Sequence, residues 1–251
     1  QGVFTRSLDA ALLNGAIDIA VHSMKDVPTQ PARGIVQAAV LKRASYKDLF
    51  VYKGEISFLQ DPASTGVIAT SSIRRRAQWL HRYPNHTIEN LRGNVNTRLR
   101  KVAENNWNGA IFAAAGLERI ALRPQNAIEL DWMLPAPAQG AIMVVCREED
   151  AYCREAGEQF NDPATALCTK IERDFLRQLL GGCSTPISGL ATLENGEVVF
   201  RGNIVSTDGQ RQATVEKRSS PATAADLGIT AAKELLDKGG QEIVEAIRKT
   251  S

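Results

Sequence analysis

The chain has 251 residues, 43% apolar and 23% charged, with a formal net charge of +2. That length and composition fit two or three compact domains. Lysine and arginine are spread along the chain, which excludes the long basic block of a nucleic-acid surface, and no apolar run approaches the ~20 residues that span a bilayer.

In chain order, Phe4, Leu8, Ala11 and Leu12 follow helical spacing, with Gly15 as a cap. IDIAV (17–21) is a short continuous apolar run and reads as a buried parallel strand, leading into HSMKDVP, which closes at Pro28. GIVQAAVL (34–41) and DLFVY (48–52) are two further strands. From residue 66 strands and helices alternate. GVIAT (66–70) is a strand, and Ser71 or Ser72 caps a helix whose apolar face is Ile73, Ala77 and Leu80. TIENL (87–91) is a strand, followed by a helix capped by Asn94 or Asn96 and marked by Val95, Leu99 and Val102. GAIFAAA (109–115) is a strand, and Gly116 opens a short helix through Ile120. This alternation predicts a mostly parallel sheet covered by helices, whose ligands lie beyond the carboxyl ends of the strands.

DWMLPAPAQG (131–140) is Pro-rich and reads as a hinge or crossover, and AIMVVCR (141–147) as a strand returning to the first sheet. A helical stretch follows, broken near Asn161-Asp162-Pro163. The last third changes character. ISGLATL, VVFRGNIVS and RQATVEKR are separated by Asn195-Gly196 and Asp208-Gly209, strong hairpin signals, and a helical tail over 222–248 covers the meander.

Three features carry candidate chemistry. TSSIRRR (70–76) places Arg74, Arg75 and Arg76 in the first turn of a helix, where each cation opposes the helix dipole by roughly 0.3–1 kcal/mol. Either these side chains splay into solvent or they await an anion. Arg92 and Arg98 in LRGNVNTR and Arg119 in GLERI repeat the pattern at two more strand ends, which favours a polyanion cleft lined by bidentate donors. Asp26, beside Lys25, is either a turn residue bonding its own backbone or a lone carboxylate among cations. Cys183 in LLGGCSTPI is either a small buried residue after a helix cap or a reactive thiol on a tight loop. Cys146, Cys153 and Cys168 read as structural. No C-x-x-C pair occurs, and His22, His81 and His86 are not spaced with the cysteines as zinc ligands, so reduced thiols in a cytoplasmic protein without a metal site are expected.

In order and spacing, HSMKDVPT, TSSIRRR, LRGNVNTRL, AAAGLERI and LLGGCSTPI resemble the porphobilinogen deaminase (hydroxymethylbilane synthase) family over nearly the whole chain. The resemblance implies an α/β fold of two periplasmic-binding-protein-like domains plus a small α+β C-terminal domain. The expected divisions are 1–43 with 140–160, 44–135, and 161–251. It implies a monomer that condenses four porphobilinogen molecules stepwise, releasing ammonia, on a dipyrromethane joined to Cys183 by a thioether. Lys25, Ser71, Ser72, Arg74, Arg75, Arg98 and Gly116 would hold that cofactor, Arg92, Arg98 and Arg119 the substrate, and Asp26 would be the catalytic carboxylate; Arg76 stays outside the site.

The chain begins at Gln1, not Met, and shows no signal peptide. No R-x-G-T-R-x-S-type segment precedes Gln1, so an N-terminal part of the first domain is expected to be missing. Ala138 and Ser188 stand where the family usually has Gly, and Ala138 is expected to stiffen the crossover. The competing reading is a non-catalytic module that binds a small anion, for which two α/β domains with basic strand ends would suffice.

Overall fold

The computed structural model describes residues 3–179 and 185–250. Its elements begin with α1 (Val3–Leu13), β1 (Ile19–Ser23), β2 (Ile35–Val40) and β3 (Asp48–Tyr52). Next come β4 (Val67–Ala69), α2 (Ile73–Arg82), β5 (Thr87–Glu89), α3 (Val95–Glu104), β6 (Gly109–Ala113), α4 (Ala114–Glu118) and β7 (Ala127–Glu129). The chain continues through β8 (Ile142–Arg147), α5 (Ala151–Glu158) and α6 (Pro163–Gln178). It closes with β9 (Ile187–Glu194), β10 (Glu197–Val205), β11 (Gln212–Ser219), α7 (Leu227–Leu235) and α8 (Gln241–Thr250).

These strands form three sheets. The first has the order β1-β8-β2, with β8 antiparallel to both neighbours. The run at 17–21 is therefore not a buried parallel strand. It becomes an edge strand in which Ala20 is buried while Ile19 and Val21 are 48% and 56% exposed. A short apolar run does not reveal how many of its faces are covered.

The central sheet has the order β5-β4-β6-β3-β7. β4 is parallel to β5 and β6, which brings three carboxyl ends to one edge, whereas β3 is antiparallel to β6 and β7. Parallel pairing thus covers only part of this sheet. Its inner strands are buried on both faces. Leu49, Val51, Ala110 and Phe112 pack with Leu91 and Leu117, and the alternate residues Phe50 and Ile111 pack with Ile68 and Trp79.

The C-terminal sheet, β11-β10-β9, is antiparallel throughout. Phe175 of α6 and Ala231 and Leu235 of α7 share its core with Phe200 and Ile204. The helical tail is broken: Lys238 and Gly239 leave helical geometry, and Gly239 has φ +93°. The tip of the β10–β11 hairpin packs on α2, where a Cβ on Gly209 would lie 2.6 Å from the His81 main-chain nitrogen.

The chain crosses between the first and central sheets twice, and the crossings bond to each other. Ala44 N donates to Gly140 O (3.1 Å), and Arg43 Nε donates to Gln139 O (2.9 Å). Ala138 is fully buried at φ +62°, a left-handed conformation that costs a residue with a Cβ roughly 1–2 kcal/mol.

Candidate active site

The edge where β4, β5 and β6 end carries the site. After Ala69, the Ser71 hydroxyl donates to Leu91 O (2.6 Å), and Ser72 caps α2 by accepting from Arg75 N (3.4 Å). The face of α2 that turns inward is not Ile73, Ala77 and Leu80. Ala77 is buried, but its buried companions are Arg74, Arg75, Gln78 and Trp79, while Ile73 and Leu80 are half-buried. Two arginines can occupy an inward face here because a buried acid opposes them.

That acid is Asp48, the first residue of β3, fully buried. Arg74 Nη2 donates to its Oδ2 (2.7 Å), and Arg75 Nη2 and Nε donate to its Oδ1 (2.8 and 3.2 Å). Arg74 Nη1 and Arg75 Nη1 donate to Leu134 O (2.6 Å) and Ile111 O (3.1 Å). Burial raises the Asp48 pKa, but the two guanidinium groups outweigh it and bring it down to about 2. Gln139 Nε2 also donates to Asp48 Oδ1 (2.9 Å), tying this cluster to the second crossing. Arg74 Nε is buried without a hydrogen-bond partner, and Arg76 is exposed.

A cavity of about 290 Å³ opens beside this cluster, lined by Lys25, Asp26, Ser71, Ser72, Arg98 and the two buried arginines, among others. Lys25 and Asp26 come from a single 3-10 turn, Met24–Asp26, directly after β1. Asp26 is exposed and Lys25 half-buried. Burial and the nearby Arg75 charge push the Lys25 ammonium below its ordinary pKa, although Asp26 pulls the other way. Arg98 feels the same two influences, and its Nε donates to Gly93 O (2.7 Å). On the far side, Leu176 and Thr185 line the cavity. They flank the stretch containing Cys183, which lies outside the described residues.

The other expected site residues stand apart. Arg92 and Arg119 are exposed and outside the cavity lining. Arg119 does not sit at a strand end, since β6 stops at Ala113 and α4 intervenes. Gly116 lies within α4 rather than opening it, and a Cβ there would meet nothing within 4 Å. A second cavity of about 450 Å³ between α1, the first sheet and α6 is lined largely by apolar groups such as Met24, Ile35 and Met143. Its cations are engaged, Lys170 by Asp174 and Arg173 by main-chain carbonyls.

Sequence reasoning missed the residues that hold this edge together. Besides Asp48 and Gln139 they include Glu172, fully buried on α6, which accepts from Arg43 Nη1 (2.6 Å), Arg43 Nη2 (3.0 Å), Ala138 N (2.6 Å) and Ala191 N (2.8 Å). One signal was present. Glu172 falls in register with Cys168, Ile171 and Phe175 on the apolar face of its helix. Gln78 is similar: its Nε2 donates to Leu134 O (3.0 Å) and to the Ser188 hydroxyl (3.0 Å), which gives the departure at 188 a function.

The lining suits a small ligand carrying several carboxylates. Cationic and hydroxyl groups surround the cavity, a buried guanidinium nitrogen has no partner, and the internal acid supplies one negative charge against two arginines. Among the described residues Cys146, Cys153 and Cys168 are free, and burial pushes each thiol up, to about 11 at Cys168.

Comparison with known proteins agrees with this chemistry. The family model "Porphobilinogen deaminase, dipyromethane cofactor binding domain" matches residues 1–155, and "Porphobilinogen deaminase, C-terminal domain" matches 166–237. The porphobilinogen deaminase of Listeria monocytogenes serotype 4a is 37% identical over 99% of this chain and 81% of its own length. That of Chlorobium phaeobacteroides is 38% identical over 100% and 82%. The chloroplastic enzyme of Pisum sativum is 42% identical over 96% and 66%. Among solved structures, an ancestral cationic amino acid solute binding protein aligns at 14% identity and TM-score 0.43, covering 62% of this chain and 66% of its own, a likeness too slight to carry an argument. The chain belongs to the porphobilinogen deaminase family.

Proposed function

We propose that this chain condenses four porphobilinogen units on a covalently held dipyrromethane, releasing ammonia at each addition and hydroxymethylbilane at the end. The observation that carries the reading is one cavity where Lys25, Ser71, Ser72 and Arg98 surround the space, Asp26 stands at its side, and Leu176 and Thr185 bring the flanks of the Cys183 stretch to it. With 1–43 plus 140–160, 44–135 and 161–251 taken as three domains, each contributes to that lining.

Cys183 is the proposed tether, through a thioether. When bound, dipyrromethane supplies the free pyrrole carbon at which the product lengthens. Lys25, Ser71, Ser72 and Arg98 hold its acetate and propionate groups, with Arg74 and Arg75 forming the floor and Gly116 leaving room beside the backbone. Arg98, Arg92 and Arg119 take the carboxylates of incoming porphobilinogen. Asp26 acts on that substrate: its carboxylate holds the proton at the departing amine nitrogen and accepts the pyrrole N–H hydrogen bond as positive charge develops on the ring. Among the described residues no helix is long and apolar enough to cross a membrane. We place the protein in the cytoplasm as a monomer, a compartment that suits the free thiols of Cys146, Cys153 and Cys168.

Intact-mass measurement tests this reading. The protein is expected to be heavier than its sequence by one dipyrromethane and to consume porphobilinogen with release of ammonia, and Cys183→Ser is expected to abolish both. Unmodified Cys183 together with reversible carboxylate binding and no turnover would establish the anion-binding module instead.

A further inference from the structure

Asp26 is exposed, so little packing fixes its carboxylate. Its placement depends on the backbone of the Met24–Asp26 turn, which is a single 3-10 turn closed by one long bond, Val27 N to Met24 O at 3.3 Å. So short a turn does not hold its shape alone. Arg173 of α6 grips it from outside. Its Nη1 donates to Met24 O (3.2 Å) and Val27 O (3.0 Å), and its Nη2 donates to Pro28 O (2.6 Å). The three carbonyls bracket Lys25 and Asp26. A rigid planar guanidinium can hold several acceptors at fixed spacing, whereas the ammonium of a lysine cannot reproduce that fork.

The position of Arg173 on α6 gives the grip a purpose. The neighbouring Glu172 anchors the same helix to both crossings through Arg43 and Ala138 N. Leu176, three residues on, lines the cavity just before the stretch that carries Cys183. One helix therefore holds the Asp26 turn and lines the same cavity.

We propose that Arg173 is a positioning residue, which fixes the Met24–Asp26 turn, and with it Asp26, against α6 at the side of the cavity. The proposal rests on Asp26 being the catalytic carboxylate. Displacement of a reacting group by an ångström can cost about a hundredfold in rate.

The test uses the full chain with Arg173→Gln, Arg173→Lys and Asp26→Ala. Arg173→Gln is expected to keep its dipyrromethane by intact mass and to lower kcat about tenfold to a hundredfold, with KM within about threefold. Amide exchange at Val27, whose N–H closes the turn, should quicken by about tenfold or more while the Met24 amide, bonded to Ala141 O, and the rest of the first sheet keep their protection. Arg173→Lys should recover part of both effects, and it carries the same readouts should Arg173→Gln not fold. Unchanged exchange at Val27, an unchanged kcat, or loss of the adduct would overturn the proposal. If Asp26→Ala turns over like the unaltered protein, the assignment of Asp26 fails, and the exchange measurement still decides whether Arg173 orders the turn.

Discussion

Arg74 and Arg75 at the floor of the cavity, and Arg98, Arg92 and Arg119 around and beyond it, are the same residue in opposite circumstances. The floor pair is 5% and 7% exposed, and both side chains bond the buried Asp48. Arg98 is half-buried and bonds the main-chain carbonyl of Gly93, while Arg92 and Arg119 are exposed. Floor arginines are thus part of the frame, and rim arginines retain donors for a ligand. The two sets still communicate. One carboxylate faces two guanidinium groups, so the floor keeps an excess positive charge. Lys25 and Arg98 register it: after burial itself, Arg75 is the main influence that pushes both pKa values down. The anion that a basic helix start calls for is therefore half supplied from within, and the balance favours an acidic ligand.

Removing the internal acid breaks the comparison most severely. Asp48→Asn leaves two buried cations without a counter-charge and is expected to lower the unfolding free energy by about 3–5 kcal/mol in urea titration. At the rim the loss should appear in binding instead. Arg98→Ala is expected to weaken porphobilinogen binding by roughly tenfold or more, since a charge-assisted hydrogen bond contributes about 1.5–3 kcal/mol, while stability moves far less than in Asp48→Asn. Equal stability losses at 48 and 98 would erase the distinction between floor and rim.

Acid titration sharpens it further. Asp48 has a folded pKa of about 2 against an ordinary 3.8, so its contribution is fully present above the ordinary value and is lost as pH falls through about 2. The difference corresponds to on the order of 2 kcal/mol, and circular dichroism between pH 5 and 2 should show the loss in the unaltered protein and not in Asp48→Asn. The smallest effect lies at the crossing behind the floor. Ala138→Gly relieves a left-handed alanine, partly offset by the greater freedom of glycine in the unfolded chain. The expected gain is about 0.5–1 kcal/mol by thermal unfolding.

Features that depend on a few neighbouring residues were legible in the sequence. Ser72 and Asn94 cap their helices, and the Asn195-Gly196 and Asp208-Gly209 turns join antiparallel strands. The order of motifs identified the family and brought Lys25, Asp26, Ser71, Ser72, Arg74, Arg75 and Arg98 together in expectation, as they are around the cavity. What misled was polarity read one segment at a time. An apolar stripe of Ile73, Ala77 and Leu80 looked like the inward face of α2, and the arginines beside it looked available to an anion from outside rather than engaged by a buried acid.

Sequence alone determined where this chain turns, most of its helices and strands though not β7 or the break in the tail, and which chemistry it is equipped for, because those depend on local geometry and side-chain identity. Only the tertiary structure decided which charges are spent internally. Asp48 lies 26 residues from Arg74, and Glu172 lies 129 from Arg43. A buried charge is stable only where folding brings its partner within hydrogen-bond distance. No local pattern encodes that meeting, and it separates the arginines that build the site from those left to serve a ligand.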